Sequence, residues 1–83
     1  MKTYYNENNE IVTTFSSEEE KETIFKLINN HIELMSKVYR KRNSNWVIVK
    51  DLTHNGGGYS VSICQALGVY PYGYKWEVQE NDK

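Results

Sequence analysis

A chain of 83 residues with a formal net charge of −1 and one cysteine reads as a single small domain whose stability is marginal. The lone Cys64 excludes an internal disulfide and fits a reducing, cytoplasmic location. The sequence shows neither a signal-peptide core nor an apolar run long enough to span a bilayer, and its seven Tyr, two Trp and two Phe supply bulk for a short chain's core.

Residues 2–15 read as a β-hairpin. Tyr4 and Tyr5 lead into the polar turn Asn6, Glu7, Asn8 and Asn9, and Ile11 through Phe15 are rich in strand formers. Ile11, Thr13 and Phe15 share one face, expected to pack on the helix that follows.

Residues 17–41 carry the clearest periodicity and predict one long amphipathic helix. Ile24, Leu27, Ile28, His31, Ile32, Leu34, Met35, Val38 and Tyr39 fall on one half of the helical wheel. Lys26, Asn29, Asn30, Glu33, Ser36, Lys37 and Arg40 fall on the other. Ser16 and Ser17 each have a Glu three residues on, the spacing of a capping box. Glu18, Glu19, Glu20 and Glu22 suit the positive end of the helix dipole, and Lys37, Arg40, Lys41 and Arg42 the negative end. His31, central in the apolar stripe, is expected to be a buried neutral imidazole with one hydrogen-bonded nitrogen rather than a switch or ligand. Asn43, Ser44 and Asn45 read as a turn.

Trp46, Val47, Ile48 and Val49 fit either a buried strand or a short helix capped by Ser44 and running to about Thr53. Asn55 and the three glycines after it mark a break, read as a flexible turn because they match neither a Walker loop nor the dinucleotide fingerprint. Residues 59–67 alternate like a strand, yet Ile63, Cys64 and Leu67 form a helical stripe. Gln65, Ala66 and Leu67 followed by Gly68 favour a helix, with Ser60 as its cap. Tyr70, Tyr72, Tyr74, Trp76 and Val78 occupy alternate positions, which predicts an edge strand, Pro71 included, whose aromatic face closes the core over the long helix. Residues 79–83 form a polar tail. The expected class is α+β: an N-terminal hairpin, a long helix, a short helical or hairpin unit around the glycines, and a C-terminal aromatic strand in a small antiparallel sheet.

The charge is segregated. Residues 1–36 hold three Lys and seven Glu, residues 37–50 hold five cations and no acid, and residues 51–83 hold two Lys and four acids. A basic patch thus lies between acidic flanks. Lys37, Tyr39, Arg40, Lys41, Arg42, Trp46 and Lys50 interleave cations with aromatic rings, a pattern that suits phosphate contacts and base stacking. The same cations also suit the end of a helix that begins with glutamates. No metal-binding or nucleophile motif is present, and a thiolate–imidazole couple between His54 and Cys64 is less expected than a buried, inert thiol. The sequence therefore reads as non-enzymatic, with no cofactor or metal.

Taken as two helices, residues 46–53 and 60–67 joined by 54–59 resemble a helix-turn-helix. Ile63, Cys64, Gln65, Ala66, Leu67, Gly68 and Val69 are similar to the helix ending common in that class. The resemblance implies a nucleic-acid-binding regulator whose second helix exposes Ser60, Ser62 and Gln65. The chain departs from the family in its three consecutive glycines and in having no Arg or Lys on that helix. The other expectation, placed ahead of it, is a small interaction or regulatory protein that occludes a nucleic-acid-handling protein partner, similar in style to inhibitors from phages and mobile elements. Its contact residues would be Glu18, Glu19, Glu22, Tyr72, Tyr74 and Trp76, with the acids of residues 77–82 as a second flank.

Overall fold

A computed structural model describes residues 1–79. The two-stranded antiparallel hairpin forms as expected, with β1 (Lys2–Tyr5) paired to β2 (Ile11–Thr14) so that Thr3 faces Thr13. Asn6 organises its turn: the side-chain Oδ1 accepts from the backbone N–H groups of Asn8 and Glu10, both at 2.9 Å, and Asn9 takes a left-handed φ of 61°. Ile11 and Thr13 do turn inward, but onto the last helix rather than the first.

The long helix is two helices. α1 (Glu18–Leu34) is capped by Ser17, whose Oγ accepts from the Glu20 N–H at 3.0 Å, while the Glu20 carboxylate reaches back to the Ser16 N–H. It ends at Met35, which is extended at ψ 160°, and Ser36 starts α2 (Lys37–Arg42) by accepting from the Tyr39 N–H at 3.1 Å. The hydroxyl of Ser36 gives the backbone a local alternative to continuing the helix. Apolar periodicity ran through that cap unbroken and so concealed it.

The core centres on Ile28, Val49, Ile63, Cys64, Leu67 and Val69, with Phe15, Ile24, Phe25, Ile32, Trp46 and Trp76 packed around it. Only part of the α1 stripe points there. Leu27, His31, Leu34, Val38 and Tyr39 are exposed, Leu34 by 88%. His31 is thus not the buried imidazole that its place in the stripe suggested, because α1 meets the core along one narrow edge.

Residues 46–67 are helical. α3 (Asn45–Thr53) follows Ser44 and ends at His54, which takes the left-handed φ of 62°. α4 (Gly57–Leu67) starts after Gly56, so Gly57 and Gly58 form its first turn instead of a loose loop, and Ser60 lies inside it rather than capping it. The reason is packing. A Cβ on Gly58 would stand 2.8 Å from Ile11 Cδ1 of the hairpin. At the other end Gly68 (φ 82°) makes a Schellman stop: its N–H donates to the Gln65 carbonyl at 3.0 Å, and that of Val69 to Cys64 at 2.9 Å.

α4 lies between α3 and the hairpin and is the most enclosed helix among the described residues. Ser62 Oγ donates to the Ile11 carbonyl at 3.3 Å, which leaves it to accept from Thr13, and Thr13 in turn accepts from Thr3. Ser60, fully buried, donates to the Gly56 carbonyl. Of the three polar residues expected on a recognition-helix surface, only Gln65 is exposed. The helix-turn-helix comparison holds for the succession of two helices and fails for the face that would read DNA.

The aromatic segment is not a strand. Among the described residues the sheet has two strands, and residues 70–75 form turns. Alternation with Pro71 and Gly73 resembled strand spacing, but the segment's carbonyls bond to a helix end instead. Residues 80–83, with Glu80, Asp82 and most of the predicted polar tail, lie outside the described residues. Among those described, no helix is long and apolar enough to cross a membrane.

Candidate interaction surface

The first N–H groups of α3 have no side-chain cap, and the turn at 70–75 supplies their acceptors. Asn45 N–H donates to the Gly73 carbonyl and Trp46 N–H to that of Pro71, both at 2.9 Å. The Asn45 side chain, with no exposed surface, donates to the carbonyls of Tyr70 at 2.8 Å and Lys75 at 2.9 Å, while its Oδ1 accepts from the Arg40 guanidinium. Arg40 also donates to the Asn43 carbonyl at 2.9 Å. Burial lowers the Arg40 pKa from its ordinary value, and the neighbouring Tyr74 opposes that shift.

This clamp rigidly presents a tyrosine-rich turn. Tyr70 and Tyr72 meet edge-to-face at 5.7 Å, and Tyr72 and Tyr74 are each 55% exposed. Trp76 behaves differently. Its ring lies 5.5 Å from that of Phe25, and its Nε1 donates to the Phe25 carbonyl at 3.0 Å, so it fastens the C-terminal segment to α1. Of the expected aromatic contact residues, Trp76 is therefore structural, whereas Tyr72 and Tyr74 face solvent.

Glu18, Glu19 and Glu22 are exposed on the first two turns of α1. Glu18 and Glu22, interleaved with Lys21 and Lys26, rim a groove of about 430 Å³ over Phe25, Leu67, Gly68 and Val78. On its other side Gly68 borders a second groove, about 330 Å³, lined by Tyr70, Pro71, Tyr72 and Gln79. The acidic residues and two tyrosines thus flank the C-terminal end of α4. Tyr70 was not among the residues expected to make contact; its place in the alternating ladder was the available signal.

The basic stretch divides. Lys37 and Lys41 are exposed and line a groove of about 340 Å³ with Glu33, Arg40, Tyr74, Ile32 and Met35. Arg42 and Lys50 are exposed, but Arg40 is committed to the clamp. The Tyr39 hydroxyl donates to Asp51 of α3, a bond that raises its pKa above the ordinary value. Trp46 is half-buried beside Gly57 and packs on the core, its remaining surface lining a groove with Val61 and Tyr72 rather than the one that holds the lysines. Tyr74, assigned from the sequence to a separate surface, is the ring that joins the lysines. Asn45 was not anticipated; nothing in its local sequence distinguishes a buried hydrogen-bond centre from an ordinary first helical residue.

Cys64 has no exposed surface, and burial pushes its thiol up to about 12. The thiol stays protonated near neutrality, and His54 is exposed at the end of α3. Among the described residues, no group of three His, Cys, Asp or Glu side chains is placed to hold a metal ion. Compared with known protein families, curated proteins and solved structures, the chain matches none.

Proposed function

We propose that this protein is a non-enzymatic regulatory module that binds a protein partner, and that the partner is a nucleic-acid-handling protein whose basic face it covers. The observation that carries this reading is the meeting at Gly68 of a groove rimmed by Glu18, Glu22, Lys21 and Lys26 with one lined by Tyr70 and Tyr72. Tyrosines on a clamped turn lose little conformational freedom on binding, and exposed carboxylates steer and orient a cationic partner. Affinity capture from the source cell tests it, comparing the wild type with a Glu18→Lys/Glu22→Lys/Tyr72→Ala variant. The expected result is a nucleic-acid-handling protein retained by the wild type, lost with the variant and displaced by added DNA or RNA. Capture that ignores these substitutions contradicts the reading.

A second reading, direct nucleic-acid binding, is favoured by the groove that joins Lys37 and Lys41 to Tyr74. Fluorescence anisotropy with labelled single- and double-stranded DNA and RNA decides it. Salt-sensitive binding lost in a Lys37→Ala/Lys41→Ala/Arg42→Ala variant supports this alternative, and no binding at low salt removes it.

A further inference from the structure

The outer face of α1 carries a pattern that runs between the two grooves, Lys26 lining the one with Glu18 and Glu22, and Glu33 lining the one with Lys37 and Lys41. Thr23, Leu27, Asn30 and Leu34 follow one another at spacings of four, three and four residues and are all exposed, Leu27 by 60% and Leu34 by 88%. This is the spacing of a helix seam. Along one edge of the seam stand Lys26 and Glu33, one heptad apart, opposite in sign and both exposed. Among the described residues the one ion pair joins the Met1 ammonium to Glu20 at 2.6 Å, so neither Lys26 nor Glu33 has a described ionic partner within the chain.

Self-complementarity follows from that arrangement. In an antiparallel pair of such helices, residues on the same edge of the two seams face each other. Placing Leu27 against Asn30 of a second copy places Leu34 against its Thr23, and the same register sets Lys26 against the second copy's Glu33. The two-fold axis repeats every contact, giving two Leu–polar layers of each kind and two ion pairs. A parallel pair instead sets this charged edge against the edge containing Ile24 and His31, where no opposite charge answers it.

We propose that α1 is an isologous self-association surface on which two copies of this chain pair antiparallel through Leu27 and Leu34, with Lys26 of each copy facing Glu33 of the other. The contact is small and its seam half polar, so the dimer is weak, with dissociation in the range of about 10–100 µM. Lys26 and Glu33 also line the two α1 grooves, so pairing draws on the rim of each, while Tyr70 and Tyr72 line a groove that contains no α1 residue.

Sedimentation equilibrium at low salt, over protein concentrations of about 5–500 µM (spanning the expected dissociation range), is the test. The weight-average mass rises from 9.8 kDa toward twice that value. Lys26→Glu and Glu33→Lys each turn two attractions into repulsions and each weaken association roughly tenfold or more. Mixing these two variants restores association, because every facing pair in the mixed dimer is again of opposite sign. Leu34→Asp, at a position exposed in the monomer, abolishes dimers while leaving the far-ultraviolet spectrum unchanged. A monomer throughout the concentration range overturns the proposal. So does association that survives Leu34→Asp, or a mixture that associates no better than either charge variant alone.

Discussion

α1 and α4 are the two longest helices and meet the core in opposite ways. α1 buries one of its 17 residues completely, whereas α4 buries five of 11, two of them serines. The helix with the more regular apolar pattern is thus the peripheral one, and the glycine- and serine-rich helix is central. Enclosure follows from how closely neighbours can approach. Gly57 and Gly58 let Trp46 and Ile11 lie directly against α4, and its buried hydroxyls are satisfied by the hairpin and by its own backbone. α1 has long side chains all round and touches the core along one edge.

Truncations in the two helices break the comparison most directly. Ile63→Ala, in the fully buried face of α4, is expected to cost ~4 kcal/mol by removing methylenes and leaving a cavity. Urea unfolding followed by tryptophan fluorescence measures it. Asn45→Ala should cost ~3 kcal/mol, since it strands the Tyr70 and Lys75 carbonyls and removes an acceptor from Arg40. That variant should also release the tyrosine turn, seen as faster amide exchange at Gly73 and Lys75 than global unfolding accounts for.

Gly68→Ala is expected to cost about 1–2 kcal/mol, because its φ of 82° disfavours any Cβ and Val78 Cγ1 would lie 3.3 Å away. Leu34→Ala, by contrast, should change monomer stability by less than about 0.5 kcal/mol in the same titration, measured at dilution. A loss near that of Ile63→Ala would show that α1 is as enclosed as α4, against the geometry. The smallest effect concerns pH. The Met1 ammonium, then the Ser16 N–H, hold the Glu20 carboxyl below its ordinary 4.5. A depressed folded-state pKa contributes stability that is present above about pH 4.5 and is lost as pH falls through the depressed value. Glu20→Gln should therefore show a shallower loss of stability on acidification than the wild type.

Parts of this architecture are legible residue by residue. The hairpin turn at Asn6 and Asn9, the Ser17 cap, the helical reading of residues 59–67 and the Gly68 stop rest on chemistry that acts within a few residues, and each appears as the local pattern implies. Ser36 was legible too, as a serine three residues ahead of the N–H it caps, but the apolar period outweighed it. The candidate surface was less accessible. Glu18, Glu22, Tyr72 and the exposed lysines could be named from type and exposure expected, yet Arg40 is committed through Asn45, which itself binds the Lys75 carbonyl 30 residues on, and Trp76 through Phe25, 51 residues back.

By itself, then, the sequence determined the hairpin, the Ser17 cap, the glycine stop and the separation of acidic and basic stretches, because backbone hydrogen bonding and charge act locally. The tertiary structure decided which half of an apolar stripe is core, why two glycines belong inside a helix, and which aromatic rings remain exposed. Those outcomes depend on what stands opposite each side chain, and in this chain the decisive neighbours, Ile11 against Gly58 and Asn45 against the 70–75 turn, come from distant positions.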